Sequence, residues 1–94
     1  MIKHLKSSKE SKEIVRHNKY GKLYKDEEQA LNNKKIWWTK DIDQHGKSVN
    51  KLYKKIEDGL EWIADVGEEG EIILNKHKST ESKLIKWKEL IKVK

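Results

Sequence analysis

The alternation of apolar and polar residues predicts a set of short β-strands. Residues 60–66 alternate with a period of two, which is typical of a strand with one buried face. Residues 36–39 read Ile-Trp-Trp-Thr and favour a strand through their β-branched and aromatic side chains. Residues 71–74 and 84–87 are short apolar runs of strand length. We therefore expect an antiparallel sheet from residue 36 onward.

One segment, residues 49–57, carries two competing signals. Its apolar residues are Val49, Leu52, Tyr53 and Ile56. They fall at i, i+3, i+4 and i+7, as on one face of a helix. The segment also leads into Asp58-Gly59, a dipeptide that favours a tight hairpin turn. A helix is the alternative, and we favour a strand that enters this hairpin.

The N-terminal part predicts helices. Asp26 can cap a helix that continues through residues 26–31, and the acidic residues of its first turn suit the helix dipole. A second short helix is expected through residues 11–18. It lies in a basic, partly flexible lead-in over residues 1–19, and residues 20–94 form a single domain. These elements predict an α+β fold in which short N-terminal helices pack on an antiparallel β-sheet.

Composition and charge narrow the class of protein. The chain has 94 residues, of which 34% are hydrophobic and 40% charged, and its four Trp and three Tyr favour a folded core. It has no Cys, which excludes disulfides and cysteine zinc sites, and no apolar run long enough for a membrane span. The net charge of +6 is uneven, because residues 41–75 are acidic and the sequence on either side is basic. Basic ends are suited to a polyanion such as RNA.

Two short segments combine histidine with lysine and a hydroxyl residue. The first contains His45, Lys47 and Ser48, and the second contains Lys76, His77, Lys78, Ser79 and Thr80. Histidine can move a proton near neutral pH, lysine can stabilise a phosphorane, and the hydroxyls can donate hydrogen bonds. Cleavage of RNA by transesterification needs a base, an acid and cations, and no metal or other cofactor. If the fold brings the segments together, the site is a metal-independent ribonuclease.

Other interpretations of the same residues stay open. Each segment can be an ordinary solvated turn in a lysine-rich chain. Asp41 and Asp43 could orient His45 or act as a base, and a metal site is a rival use for them, although their spacing matches no metal motif. Trp37 and Trp38 should point to opposite faces of a strand, so that one is core and the other can stack on a base. We predict that the RNA-binding residues are Trp38, Ser79, Thr80 and Lys86.

Several short motifs follow one another in a fixed order. They are Ile36-Trp37-Trp38-Thr39-Lys40-Asp41, His45-Gly46-Lys47-Ser48, the sequence of residues 59–65, Lys76-His77-Lys78, and the sequence of residues 85–90. As an ordered set they resemble the C-terminal domains of bacterial polymorphic toxins, with their Trp-Trp-Ser-x-Asp, His-Gly-Gly-Ser, Trp-Ile-x-Asp-Ala-Asp and Gly-Lys-His-Lys pattern. The chain departs from that pattern where Lys47 replaces the second Gly and Val66-Gly67 replaces Ala-Asp.

The resemblance implies a function and a set of partners. It implies a cytotoxic endoribonuclease, most plausibly acting on tRNA, with a fold like that of barnase, colicin D and RelE-type toxins. It also implies a larger exported effector of interbacterial competition that acts in the cytoplasm of the target bacterium, a cognate immunity protein, and in some cases a host translation factor. On this reading His45, Lys47 and Ser48 match one motif, and Lys76, His77 and Lys78 match another. The alternative is a non-catalytic, basic nucleic-acid-binding module.

Overall fold

Alternating side chains and tight turns, rather than helical stripes, organise the chain. A computed structural model describes residues 10–31, 34–40, 49–75 and 84–94. The strands within these residues are β1 (Ile14–His17), β2 (Gly21–Leu31), β3 (Lys34–Lys40), β4 (Asn50–Ile56), β5 (Gly59–Val66), β6 (Ile72–Asn75), β7 (Leu84–Lys86) and β8 (Leu90–Lys92). A turn of 3₁₀ helix, η1 (Trp87–Glu89), joins β7 to β8. Among the described residues, no helix has the length and apolar character needed to span a bilayer.

The α+β prediction, with a barnase-like packing of N-terminal helices on the sheet, is wrong. The expected helix over residues 26–31 lies in β2, and residues 11–18 contain β1 instead of a helix. Asp26 accounts for the first error, because its Oδ1 accepts a hydrogen bond from the Glu28 N–H at 3.1 Å. The same bond would cap a helix, but here it lies at a β-bulge, where the register with β3 shifts between Asp26 and Ala30.

The strands predicted from residue 36 onward are confirmed. Within residues 49–57, Asn50–Ile56 form the strand β4, and a two-residue turn of Glu57 and Asp58 joins it to β5, which begins at Gly59. Leu52 and Tyr53 are adjacent in β4 and both buried, on opposite faces of the sheet. A strand that buries side chains on both faces produces adjacent apolar residues, and these imitate the i+3, i+4 spacing of a helix.

The sheet closes on itself. Its strands form an antiparallel meander in the order β6-β5-β4-β3-β2-β1-β8, and β7 also pairs with β5. Because η1 connects β7 on β5 directly to β8 on β1, this last segment joins the two ends of the meander. Trp87 fixes the closure, since its main-chain N–H and its indole Nε1–H donate to the carbonyls of Asp58 and Glu57 at 3.3 and 2.9 Å.

The interior of the closed sheet holds the main apolar core. This inner cluster consists of Leu23, Trp37, Tyr53, Leu60, Trp62 and Ile85, with Val15, Tyr20, Trp87 and Leu90 packed against it. Every strand except β6 contributes a side chain, which is expected when a sheet curls around one core. The face of the sheet that carries this cluster is called the inner face below.

A second core lies on the opposite, outer face. This outer cluster consists of Ile36, Leu52, Ile63, Ala64 and Val66, and the partly buried Trp38 and Ile72 pack against it. Its buried members lie on β3, β4 and β5, and Ile72 extends the cluster onto β6. On β1 and at the start of β2, the same face carries the exposed Arg16 and Lys22.

A buried ionic network lies on the inner face. The Lys51 ammonium is 3.3 Å from Asp65 Oδ1, and both residues are more than nine-tenths buried. The indole Nε1–H of Trp62 donates to the same Asp65 oxygen at 2.7 Å. Two donors thus satisfy one buried carboxylate, which a low-dielectric interior requires.

Candidate nucleic-acid interface

Most of the residues predicted from the sequence to form the site lie outside the part of the chain that the structure describes. These are His45, Lys47, Ser48, Lys76, His77, Lys78, Ser79 and Thr80, together with Asp41 and Asp43. Of the predicted site residues, only Trp38 and Lys86 are described. The meeting of the two histidines therefore stays a prediction.

The strands on either side of the two histidine segments are described, and they place the ends of these segments near one another. β3 and β4 flank the first segment, and their facing residues are Lys40 and Asn50. Asn50 pairs in turn with Val66 of β5. β6 flanks the second segment, and its last residue, Asn75, pairs with Ala64 of β5. With strands about 4.8 Å apart and residues about 3.3 Å apart, the Cα atoms of Asn50 and Asn75 are separated by roughly 12 Å.

The second segment has an unusual place in the sheet. β6 and β7 both pair antiparallel with β5, along the same edge. β6 ends opposite Ala64, and β7 begins opposite Glu61. The chain therefore leaves this edge strand after Asn75 and rejoins it at Leu84, so that the histidine segment is inserted into an edge strand rather than placed at the tip of a hairpin.

Trp38 lies on the outer face beside Tyr24. The two residues are direct partners on β3 and β2, and their ring centroids are 4.7 Å apart with planes tilted by 35°. Both side chains are half-buried, whereas the neighbouring Trp37 is buried in the inner cluster. The alternation predicted for the two tryptophans is thus observed. Tyr24 and Trp38 are called the aromatic pair below.

Three exposed cations flank the aromatic pair on one side. Arg16 and Lys22 are direct cross-strand partners on β1 and β2, and they share a face with Tyr24 because alternate residues of a strand point the same way. Lys40 follows Trp38 by two residues on β3 and lies on the same face. Arg16, Lys22 and Lys40 form what we call the basic row.

The basic row differs in its partners from three other described lysines, which are paired with carboxylates. Lys25, Lys51 and Lys54 each form an ion pair with a carboxylate. No ion pair within the described residues involves a member of the basic row. Its positive charges are therefore available to an anionic ligand.

Lys86 does not belong to this surface. It is exposed and pairs with Gly59 near the start of β5, whereas Trp38 is connected through Leu52 to Ala64 near the end of β5. Its main-chain N–H donates to Glu89 Oε2 at 2.9 Å, at the beginning of η1. The structure thus places the two described members of the predicted site at different positions on the sheet.

Sequence reasoning missed Tyr24, Arg16 and Lys22. The signal there is weak, because Lys22 is exposed and Leu23 is buried but Tyr24 and Lys25 are both half-buried. The helix predicted to begin at Asp26 also argued against a strand in this region. The pairing of Tyr24 with Trp38 joins residues that no local pattern connects.

A histidine that the sequence did not single out has a structural role. His17 is buried, its Nδ1 accepts hydrogen bonds from the N–H groups of Lys19 and Tyr20, and its ring stacks on Tyr20 with centroids 4.8 Å apart. Its Nε2 lies 3.6 Å from Glu89 Oε1. The main-chain hydrogen bond from Lys86, followed by the interactions with His17, lowers the pKa of the Glu89 carboxyl. His17 thus fastens the turn after β1 to η1.

The described residues offer no metal centre. No group of three or more His, Cys, Asp or Glu side chains that could hold a metal ion occurs among them. A phosphate ligand is the chemistry that fits the basic row, because guanidinium and ammonium groups donate charge-assisted hydrogen bonds to phosphate oxygens.

No family model, curated protein or solved structure matches this chain. The resemblance to polymorphic toxin domains therefore stays a prediction from the sequence motifs.

Proposed function

We propose that this domain is a metal-independent endoribonuclease that holds its RNA on the outer face of the closed sheet. One observation carries the proposal. The basic row is exposed, is not neutralised by carboxylates among the described residues, and ends at Lys40, where β3 leads into the segment that contains His45. Phosphates bound to the row would lie next to the residues proposed to cut the RNA.

The register of the sheet supports the proposed chemistry. The flanks of the two histidine segments are separated by roughly 12 Å, a distance that two segments of eight residues can bridge. His45 and His77 would act as the acid–base pair, Lys47, Lys76 and Lys78 would stabilise the phosphorane, and Ser48 would donate a hydrogen bond. None of these steps requires a metal ion or any other cofactor.

The biological setting is a proposal from the sequence motifs. The domain would be the toxic end of a larger effector, delivered into the cytoplasm of a target bacterium and neutralised by a cognate immunity protein. The basic row, which no described carboxylate neutralises, is a surface that an acidic immunity protein could cover by imitating RNA. A tRNA substrate and a host translation factor belong to the same proposal.

A second candidate is a binding module without catalysis. The aromatic pair and the basic row favour it, because side chains of these types bind RNA through stacking and charge without taking part in cleavage. The two candidates differ in whether RNA is cut.

The test is cleavage of total RNA by the purified domain in EDTA. We expect fragments with 2′,3′-cyclic phosphate ends and loss of cutting in His45→Ala and His77→Ala, while His4→Ala serves as the matched control histidine. Binding of RNA without cutting would establish the module instead. Full activity of both histidine variants would refute the assigned chemistry.

A further inference from the structure

We infer that the aromatic pair is a stacking platform for unpaired bases, so that the substrate is a single-stranded stretch of RNA and not a duplex. This inference rests on the proposed function and names the class of RNA that it acts on. It assigns Tyr24, Arg16 and Lys22 to the binding surface together with Trp38 and Lys40.

The first argument is the construction of the pair. Trp38 packs one side against the outer cluster, whose Ile36 and Leu52 are completely buried, so its ring is held by a rigid core. Tyr24 contacts it from the adjacent strand with a centroid distance of 4.7 Å. A half-buried ring that packs against a core loses little freedom when a base stacks on its accessible part, and such stacking is available only where a base face is uncovered.

The second argument is the position of the cations. Lys22 and Lys40 are each two residues from the aromatic pair, which is about 7 Å along a strand, and both lie toward the same end of the sheet. Arg16 extends the row onto β1. Phosphates can therefore follow the row across β1, β2 and β3 while the bases turn toward the rings. A charged track beside aromatic rings is the arrangement by which sheets bind single strands.

A duplex fits this surface poorly. Its base faces are covered by their neighbours, so only its phosphates could reach the basic row and the aromatic pair would contribute nothing. The stacking platform therefore predicts that single-stranded RNA binds more tightly than duplex RNA, which charge alone does not predict. Charge alone would bind a duplex at least as well as a single strand, because a duplex carries more phosphate per length.

The experiment measures binding without cleavage. A fluorescein-labelled 2′-O-methyl RNA dodecamer, which lacks the 2′-hydroxyl needed for transesterification, is titrated in EDTA at moderate salt as a single strand and as a duplex. Fluorescence anisotropy reports both affinities. We expect the wild-type domain to bind the single strand at least about tenfold more tightly than the duplex.

The variants separate stacking from charge. Tyr24→Leu and Trp38→Leu should each weaken single-strand binding by roughly five- to hundredfold and leave duplex binding nearly unchanged. Lys22→Glu should weaken both, and Lys88→Glu, an exposed control on η1, should weaken neither by a comparable factor. Thermal unfolding of each variant identifies any loss due to misfolding, and Tyr24→Leu keeps the test available if Trp38→Leu fails to fold.

Each outcome decides a separate question. Equal affinity for both probes, with no effect of Tyr24→Leu in a folded protein, overturns the stacking platform and leaves an RNA-binding domain that recognises charge. Absence of binding to either probe overturns the RNA-binding face as a whole. If Tyr24→Leu loses single-strand binding but the wild-type domain does not cut RNA, the stacking platform is supported and the nuclease is overturned.

Discussion

Trp37 and Trp38 are adjacent in sequence and have opposite roles. Trp37 is 4% exposed and fills the interior of the closed sheet with Leu23 and Tyr53. Trp38 is half-exposed and pairs with Tyr24 beside the basic row. One ring stabilises the fold, and the other is left partly available at its surface. Because successive side chains of a strand point to opposite faces, one of two neighbouring residues can fill the core while the next lies at the surface.

The charged groups on the two faces differ in the same way. On the inner face, Lys51 is buried against Asp65 and serves the fold. On the outer face, Lys22 and Lys40 are exposed, and no described carboxylate pairs with them. Substitution of the buried charges on the inner face should therefore reduce stability, and substitution of the exposed charges on the outer face should reduce binding.

The largest effect is expected from truncating the inner tryptophan. Trp37→Ala should cost about 3–5 kcal/mol of unfolding free energy through the cavity it leaves. Trp38→Ala removes a half-buried ring and should cost roughly half as much. Urea unfolding followed by circular dichroism measures both. Equal losses for the two substitutions would abolish the distinction between the faces.

A comparable loss is expected when the buried ion pair is broken. Asp65→Ala removes the buried carboxylate that pairs with the Lys51 ammonium and accepts from the Trp62 indole N–H, and should cost about 3–5 kcal/mol. The matched control is the double variant Lys51→Met, Asp65→Leu, which removes both charges and should recover much of the loss. A double variant as unstable as the single one would show that the pair itself, and not the stranded charge, supports the fold.

A moderate effect is expected where β5 and β7 approach closely. Any Cβ at Gly59 would collide with the main-chain carbonyl of Ile85, so Gly59→Ala has to separate the two strands. The loss should be about 1–3 kcal/mol. Gly21→Ala is the control for steric collision, because a Cβ at that position meets no atom within 4 Å. Any loss of stability in this variant must come from the left-handed backbone of Gly21, whose φ is +79°. If Gly59→Ala is harmless, the closure at this edge is looser than the structure indicates.

Outer-face charge should change binding with little change in stability. Lys22→Glu should reduce RNA affinity and lower the slope of log affinity against log salt by about one unit or more, because a phosphate contact is lost. The unfolding free energy should change by less than about 0.5 kcal/mol. Anisotropy titrations over a salt series provide the measurement. An unchanged slope would remove Lys22 from the interface.

The smallest effect concerns acid stability. Since the folded state lowers the pKa of Glu89, this carboxylate contributes stability above its ordinary pKa of 4.5, and the contribution is lost as the pH falls through the lower folded value. Glu89→Gln should therefore be slightly less stable than wild type at pH 7, and the difference should shrink at acid pH. Thermal unfolding between pH 7 and 3 tests this, with Glu68→Gln as an exposed control.

The sequence correctly predicted those elements of the fold that depend on interactions between neighbouring residues. β3, β5 and the hairpin between β4 and β5 follow from β-favouring side chains, alternation and a turn dipeptide, and all three are observed, although the turn consists of Glu57 and Asp58 and Gly59 begins β5. The helix expected at Asp26 failed because a capping bond and a bulge bond use the same atoms. A local pattern cannot distinguish them until the pairing partner is known.

What the sequence could not predict depends on long-range pairing. The closure through β7, η1 and β8, and the partnership of Tyr24 with Trp38, join residues with no common periodicity. For the candidate site, the alternation correctly predicted that Trp37 and Trp38 lie on opposite faces, and the binding of RNA by Trp38 stays a prediction. The basic row could not be recognised, because only the register shows that Arg16, Lys22 and Lys40 belong to one surface.

The pairing of β8 with β1 has a consequence for synthesis. The strand that completes the sheet is the last one to leave the ribosome, and its partner is the first strand of the described fold. Until it emerges, η1 cannot fasten to His17, and the inner cluster lacks Leu90. Contacts between such distant parts of a chain form late. A nascent copy of this chain would accordingly stay immature until translation has passed this strand.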